Sequence, residues 1–237
     1  KKIIYLQQEP PEVKQPNKDV LDYSNLAISP FGMEHNVELI IAPPVLQWTY
    51  DIDVELTASE RVGFHKYKFP SSSQSRVIID LGEGSADRPT QTYLKKINDT
   101  LFYGYRFSSG WAADQREYFA LILSKPVTNF ILYDRNIRYA KDELRGKYVK
   151  GFLEFKTKKN ENIYVKMGVS TVSSENALDN LMNEIPHWSF DKVKTEAEQK
   201  WNKELSKINI KTNDIKKKRV FYTAMYHTMI APNLYHD

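Results

Sequence analysis

Between Ile52 and Phe69 apolar and polar residues alternate, and this limits the possible folds more than any other feature of the chain. Ile52, Val54 and Leu56 alternate with Asp53, Glu55 and Thr57. Val62 and Phe64 alternate with Arg61, Gly63 and His65, and Lys66 and Lys68 with Tyr67 and Phe69. Period-two alternation marks strands with one buried face, because successive side chains point to opposite sides of a sheet. The small polar break Ala58-Ser59-Glu60 separates the runs. Together they predict a β-hairpin, or a corner between sheets, in an antiparallel protein.

The same texture continues to about residue 170. Strands are predicted at 76–81, 92–97, 101–107, 118–123, 129–133, 151–156 and 163–169. Turn formers separate them: Gly82-Glu83-Gly84, Asn98-Asp99, Ser108-Ser109-Gly110, Lys125-Pro126 and Lys159-Asn160-Glu161-Asn162. Ile97-Asn98-Asp99-Thr100-Leu101 reads as a tight hairpin. Many short strands with regular turn signals predict a sandwich or barrel, and a parallel α/β sheet does not fit. Upstream, Glu9-Pro10-Pro11-Glu12 and Gln15-Pro16-Asn17-Lys18 predict an extended arm over the surface, and Pro43-Pro44 makes a further break.

The pattern changes at Ser173. Ala177, Leu178, Leu181, Met182 and Ile185 predict a short helix closed by Pro186. Ser189 is the expected N-cap of a second helix, with Asp191 in its first turn. Phe190, Val193, Ala197, Trp201, Leu205 and Ile208 then recur at steps of three and four. Asp214 is the expected cap of a third helix that carries Val220, Phe221, Ala224, Met225, Thr228 and Met229 on one side and ends at Pro232. The expected fold class is mainly β: a large antiparallel β-sandwich over 1–172, followed by linker helices over 173–237. The first two helices can return onto the sandwich. The third has the stripe of a helix that packs in a further helical domain.

Composition narrows the function classes. A net charge of +4 in 237 residues, with 34 basic and 30 acidic side chains intermixed, does not point to nucleic acid. The one tight basic cluster, Lys216-Lys217-Lys218-Arg219, reads as the solvated start of a helix. Cysteine is absent, which excludes disulfides, cysteine-based zinc sites and a cysteine nucleophile. No apolar run has the length of a membrane span. Lys1-Lys2-Ile3-Ile4-Tyr5-Leu6 starts like a signal sequence, but its apolar part is too short.

Single candidates for chemistry are weak. His65 on an alternating strand reads as a hydrogen-bonded structural histidine, and His35, His187, His227 and His236 are scattered without ligand spacing. Glu55 and Glu60 have the residue types of an acid–base pair, yet Glu55 reads as a solvent-face residue and Glu60 as a partner of Arg61. The turn Ser108-Ser109-Gly110-Trp111-Ala112-Ala113-Asp114 carries a tryptophan at its tip. Such a residue either stacks on a sugar ring or plugs the end of a sandwich.

Taken together, the stretches are more telling. The run from Val54 to Pro70 resembles a signature of the amino-terminal domain of glycoside hydrolase family 92, exo-acting α-mannosidases that are mostly bacterial. Ser29-Pro30-Phe31 with Glu34 and Asn36 resembles the family's preceding run. Val77-Ile78-Ile79-Asp80-Leu81, Gly110-Trp111-Ala112, Tyr118-Phe119-Ala120, Ser124-Lys125-Pro126 and Val165-Lys166-Met167-Gly168-Val169-Ser170 follow in the family's order. Ser173-Ser174-Glu175-Asn176-Ala177, Trp201-Asn202 and the run Phe221 to His227 complete it, so the likeness covers roughly 23–237.

The resemblance implies a β-supersandwich, linking helices and a carboxy-terminal (α/α)6 barrel, with the active site between the two domains. It implies calcium-dependent hydrolysis of terminal α-mannosides with inversion, by one carboxyl group that protonates the leaving oxygen and another that activates water. The family's acid, base and main calcium ligands belong to the helical domain, so no catalytic residue or metal ligand carries over. Trp111, His227 and Asp237 match family positions and are the expected substrate contacts. The family's early sugar-contacting segment has no counterpart; the Pro-rich arm stands in its place. Expected partners are α-mannoside glycans and the (α/α)6 domain of the same protein, with no nucleic acid and no membrane span. The expected location is outside the cytoplasm, in a bacterial periplasm or at the cell surface. This portion alone is expected to be inactive. The rival expectations are a stand-alone carbohydrate-binding sandwich, and an interaction module that docks a partner through the helix beginning at Lys216.

Overall fold

A computed structural model of the chain describes residues 2–7, 27–28, 51–84 and 87–229. Its strands are β1 (Lys2–Gln7), β2 (Ala27–Ile28), β3 (Asp53–Ala58), β4 (Val62–Phe69), β5 (Ser72–Asp80), β6 (Arg88–Lys96) and β7 (Leu101–Ser109). They continue as β8 (Gln115–Leu123), β9 (Asn129–Asp134), β10 (Ile137–Tyr139), β11 (Glu143–Gly146), β12 (Val149–Thr157) and β13 (Glu161–Ser170). Three helices follow: α1 (Ser174–Glu184), α2 (Phe190–Leu205) and α3 (Ile215–Thr228).

The strands form two sheets in which every described pairing is antiparallel. One has the order β10-β9-β12-β5-β1-β2, the other β11-β6-β7-β8-β13-β4-β3. This is the expected β-sandwich followed by helices. The short strands β10 and β11, with no apolar alternation to announce them, sit at sheet edges. Lys2–Gln7 is not part of a surface arm but a strand between β5 and β2. The rest of the Pro-rich arm, the stretch from Ser29 to Pro44, Pro232, His236 and Asp237 lie outside the described residues.

Turn chemistry sets the hairpins. Asn98 Oδ1 accepts from the backbone N–H groups of Thr100 and Leu101, both at 2.9 Å, which closes the β6–β7 turn. Asn160 takes a left-handed φ of 61° between β12 and β13, a conformation asparagine tolerates better than most residues.

The alternation in β3 and β4 puts Val54, Leu56, Tyr67 and Phe69 between the sheets, against Val77, Ile79, Leu132, Leu153 and Phe155 of the facing sheet. The phase of apolar residues changes along β4 without a bulge, since pairing runs continuously from Asp53↔Lys68 to Ala58↔Gly63. Val62 and Phe64 lie on the opposite face from Tyr67 and Phe69. They form a second core with Leu181, Ile185, Phe190 and Val193 of the helical segment. The hairpin is therefore buried on both faces near its turn, where the sequence pattern showed only one. Each large apolar side chain so buried contributes on the order of 2 kcal/mol.

The helices begin largely as expected. Ser173 caps α1 by accepting from Asn176 N at 3.1 Å, and Asp214 caps α3 by accepting from Lys217 N at 3.0 Å. Ser189 occupies the N-cap position of α2 but its hydroxyl makes no capping bond. Its backbone N–H instead donates to His187 Nδ1 at 3.3 Å. Close approach of α1 to β13 depends on Gly168: a Cβ there would lie 2.1 Å from the Ala177 carbonyl oxygen.

Candidate functional site

The β3–β4 turn and the end of α1 form a polar joint. Glu184 accepts from Ser59 Oγ at 2.5 Å, from Arg61 N at 3.0 Å and from Arg61 Nη1 at 3.2 Å. Glu60, mostly exposed, lies 3.8 Å from Arg61 and 3.6 Å from Lys200 of α2. On the outer face of the same hairpin, half-buried Lys66 donates to Glu55 at 2.6 Å and Lys68 to Asp53 at 3.1 Å, each pair directly opposite in the register. Glu55 and Glu60 are thus engaged in separate ion pairs, as a structural reading of them predicts.

His65 points into the sandwich. It is 1% exposed, and its Nδ1 lies 2.6 Å from Tyr67 Oη. Burial lowers its pKa to about 4, so the imidazole is neutral near pH 7. It is an internal polar tie, without access to a substrate.

At the other end of α1 the outer face of the seven-stranded sheet carries a row of stacked groups. Arg145 lies over Tyr93 at 5.7 Å, Tyr93 stacks on Tyr105 at 5.3 Å, and Tyr105 on Phe107 at 4.3 Å. Arg116 closes the row 5.4 Å from Phe107, and Tyr118 meets Phe107 edge-on at 5.4 Å. The tip of the β7–β8 hairpin lies beyond this row and carries Trp111, fully exposed. Trp111 does not plug the sandwich. The row was legible only as aromatics two apart on neighbouring strands; its stacking needs the register Tyr93↔Tyr105 and Tyr105↔Tyr118.

His227 is exposed in the last turn of α3. That helix meets α2 through the Trp201–Tyr226 ring pair at 4.9 Å, and Tyr222 Oη donates to the Ile208 carbonyl at 3.0 Å. None of its residues is buried; Ile215 and Val220 are 75% and 68% exposed. The apolar stripe expected on α3 is covered in part, with Phe221, Met225 and Met229 half-buried and Val220 and Ala224 exposed, and the basic run Lys216 to Arg219 is solvated. Among the described residues no hydrogen bond, ion pair or ring contact joins Trp111 to His227. Among the described residues no three His, Asp or Glu side chains converge as metal ligands.

The comparisons with known proteins divide at the joint between sandwich and helices. The family model described as the glycosyl hydrolase family 92 N-terminal domain matches residues 35–170, more than half of the chain. The chain belongs to glycosyl hydrolase family 92. The model of that family's catalytic domain matches residues 176–237, from the first turn of α1 onward. A family GH92 alpha-mannosidase from Bacteroides thetaiotaomicron superposes with a TM-score of 0.74 at 28% identity, over 78% of this chain and 26% of that one. A family GH92 inverting mannosidase from Bacteroides thetaiotaomicron VPI-5482, at 20% identity, shares the fold with a TM-score of 0.69, over 77% of this chain and 24% of that one. An uncharacterized secreted glycosidase of Arthroderma benhamiae is 32% identical over 96 residues, 37% of this chain and 12% of that protein. This family 92 chain thus spans about a quarter of the solved structures it matches and 12% of that curated relative. Among the described residues no helix is long and apolar enough to cross a membrane.

Proposed function

We propose that this chain is the amino-terminal sandwich, with the first helices of the catalytic domain, of an exo-α-mannosidase that hydrolyses terminal α-mannosides with inversion. The observation that carries this reading is α3. It lies in the stretch matched by the catalytic-domain model, yet it buries none of its residues against the sandwich. In this reading the exposed side of α3, with Val220 and Ala224, is covered by the remainder of a helical domain to which α3 belongs. The likeness to a GH92 alpha-mannosidase at 28% identity supports the substrate class. Inversion takes two carboxyl groups about 6.5–9.5 Å apart, one to protonate the leaving oxygen and one to activate water. In this reading both carboxyl groups, and the calcium ligands, belong to the part of the helical domain beyond the described residues. Trp111, His227 and Asp237 are the proposed sugar contacts from this chain, with Asp237 outside the described residues. Export to a periplasm or cell surface belongs to the same reading, supported by the secreted relative.

The test compares the 237-residue chain with a version extended through the full catalytic domain. The extended protein releases mannose as the inverted anomer from α-mannosides, read by proton NMR, and chelation of calcium abolishes the release. The shorter chain releases none. Turnover by the shorter chain overturns the scaffold role, and an inert extended protein overturns the mannosidase reading.

The full exposure of Trp111 favours a second reading, a stand-alone carbohydrate-binding sandwich. Calorimetric titration with manno-oligosaccharides decides between them. Binding much tighter than millimolar, lost in Trp111→Ala, supports the binding module. Millimolar or weaker binding supports the mannosidase portion.

A further inference from the structure

Lys166 stands out among the charged groups that neither the sandwich core nor the proposed chemistry accounts for. It lies on β13 and is 2% exposed. It shares the outer face of the sheet with Tyr164 and Gly168, under the helices. Among the described residues its ammonium meets no carboxylate. Its Nζ donates to the Ile185 carbonyl at 2.8 Å and reaches the His187 carbonyl at 3.5 Å. The Trp188 ring lies over it at 4.3 Å. Burial lowers its pKa from the usual lysine value.

These three partners belong to one short segment, the elbow Ile185-Pro186-His187-Trp188-Ser189 between α1 and α2. Ile185 is the C-cap of α1, where carbonyls lack helical partners and the helix dipole favours a cation. Phe64 braces the elbow from the side, with its ring 6.1 Å from Trp188 and 5.4 Å from Phe190. A buried ammonium whose bonds all go to one bend holds the bend in place, because any other path for the chain strands the charge without partners.

We propose that Lys166 is a positioning residue: its bonds to the Ile185 and His187 carbonyls and its seat under Trp188 fix the α1–α2 elbow, and so the direction in which the catalytic-domain segment leaves the sandwich. The consequence for catalysis rests on the mannosidase reading; the fixing of the elbow does not.

Hydrogen exchange on the 237-residue chain tests the elbow directly. Lys166→Met keeps the volume and loses the donors, whereas Lys166→Arg keeps donors and a cation for the Trp188 face. In Lys166→Met, backbone amides of 185–205 exchange at least tenfold faster while those of β5 and β12 keep their wild-type rates. Lys166→Arg restores most of the protection. If the side chain only fills space, Met matches wild type and Arg, being larger, does worse; that result overturns the proposal. Trp188→Leu, which leaves Lys166 in place, supplies a second variant should Lys166→Met not fold. It speeds exchange at the elbow several-fold, and an unchanged rate there also overturns the proposal. In the extended protein Lys166→Met lowers kcat more than it raises KM, and an unchanged kcat overturns the link to catalysis. Absence of mannosidase activity in the wild-type extended protein would instead count against the functional reading, with the exchange result standing by itself.

Discussion

His65 couples the sandwich to pH. Its pKa falls from about 6.5 in the unfolded chain to about 4 in the fold, so the unfolded state binds more protons between those values. Its neutral, buried form therefore contributes stability fully above pH 6.5, and that contribution is lost as pH falls toward 4. The loss is roughly 3 kcal/mol across the window. Urea unfolding from pH 7.5 to 4 should show it, and His65→Gln should flatten the curve between pH 6.5 and 4.5. Burial opposes the charge of Asp87 and Glu154, yet hydrogen bonds from Arg106 and Ser108 and from Asn129 and Arg76 outweigh it, and Lys125 does the same for Glu161, so all three pKa values are lowered. Their stabilisation is present above the ordinary carboxylate range and is lost as pH falls through that range, from about pH 5 downward, so the window from pH 6.5 to about 5 belongs to His65. A wild-type curve that is flat between pH 6.5 and 4.5 would count against a neutral buried His65.

At the scale of elements the β3–β4 hairpin does two jobs. One face closes the sandwich; the other, near the turn, seats α1 and α2 through Val62 and Phe64. Its turn is tied to the end of α1 by Glu184, which accepts three bonds from Ser59 and Arg61. Replacing that carboxylate leaves partly buried donors without an anionic partner. Glu184→Gln should cost about 2 kcal/mol. Glu60→Gln, which removes only exposed ion pairs, should cost less than about 0.5 kcal/mol. Denaturant midpoints of the two variants check this, and equal losses would mean that the joint is held by Phe64 and Val62 alone. The same run carries residues for both jobs, core apolars at Tyr67 and Phe69 and joint residues at Ser59 and Arg61.

For the whole molecule, the sandwich and the first two helices are one packed body, and α3 adds little to it. Phe190, Val193 and Ala197 bury α2, whereas α3 buries nothing and touches α2 through Trp201 and Tyr226. Deleting residues 215–237 should leave the thermal midpoint within about 3 °C, since a loss below about 1 kcal/mol shifts the midpoint of a protein this size by only a few degrees. A large drop in calorimetry would show that α3 stabilises the sandwich directly. In the proposed reading the same deletion in the extended protein abolishes folding of the helical domain, because it removes a helix against which the rest of that domain packs.

The sequence by itself determined the longer strands of the sandwich, because alternation and turn residues are local, but not β1, β2, β10 and β11. It placed most of β5 to β9, β12 and β13, and the starts of the three helices. It determined the family too, through stretches that match in order. Tertiary structure alone decided what each side chain does. Trp111 reads the same whether it plugs a sandwich or stands free; only the projection of the β7–β8 tip leaves it exposed. Ser189 has the residue type of a cap, yet the bend held by Lys166 and His187 leaves its hydroxyl without that role. Lys166 is only one polar residue of a strand in the sequence; its role appears when α1 folds back over β13 and puts the Ile185 carbonyl within its reach. These outcomes depend on contacts between residues distant in the chain, and residue periodicity carries no information about which element will cover a given face.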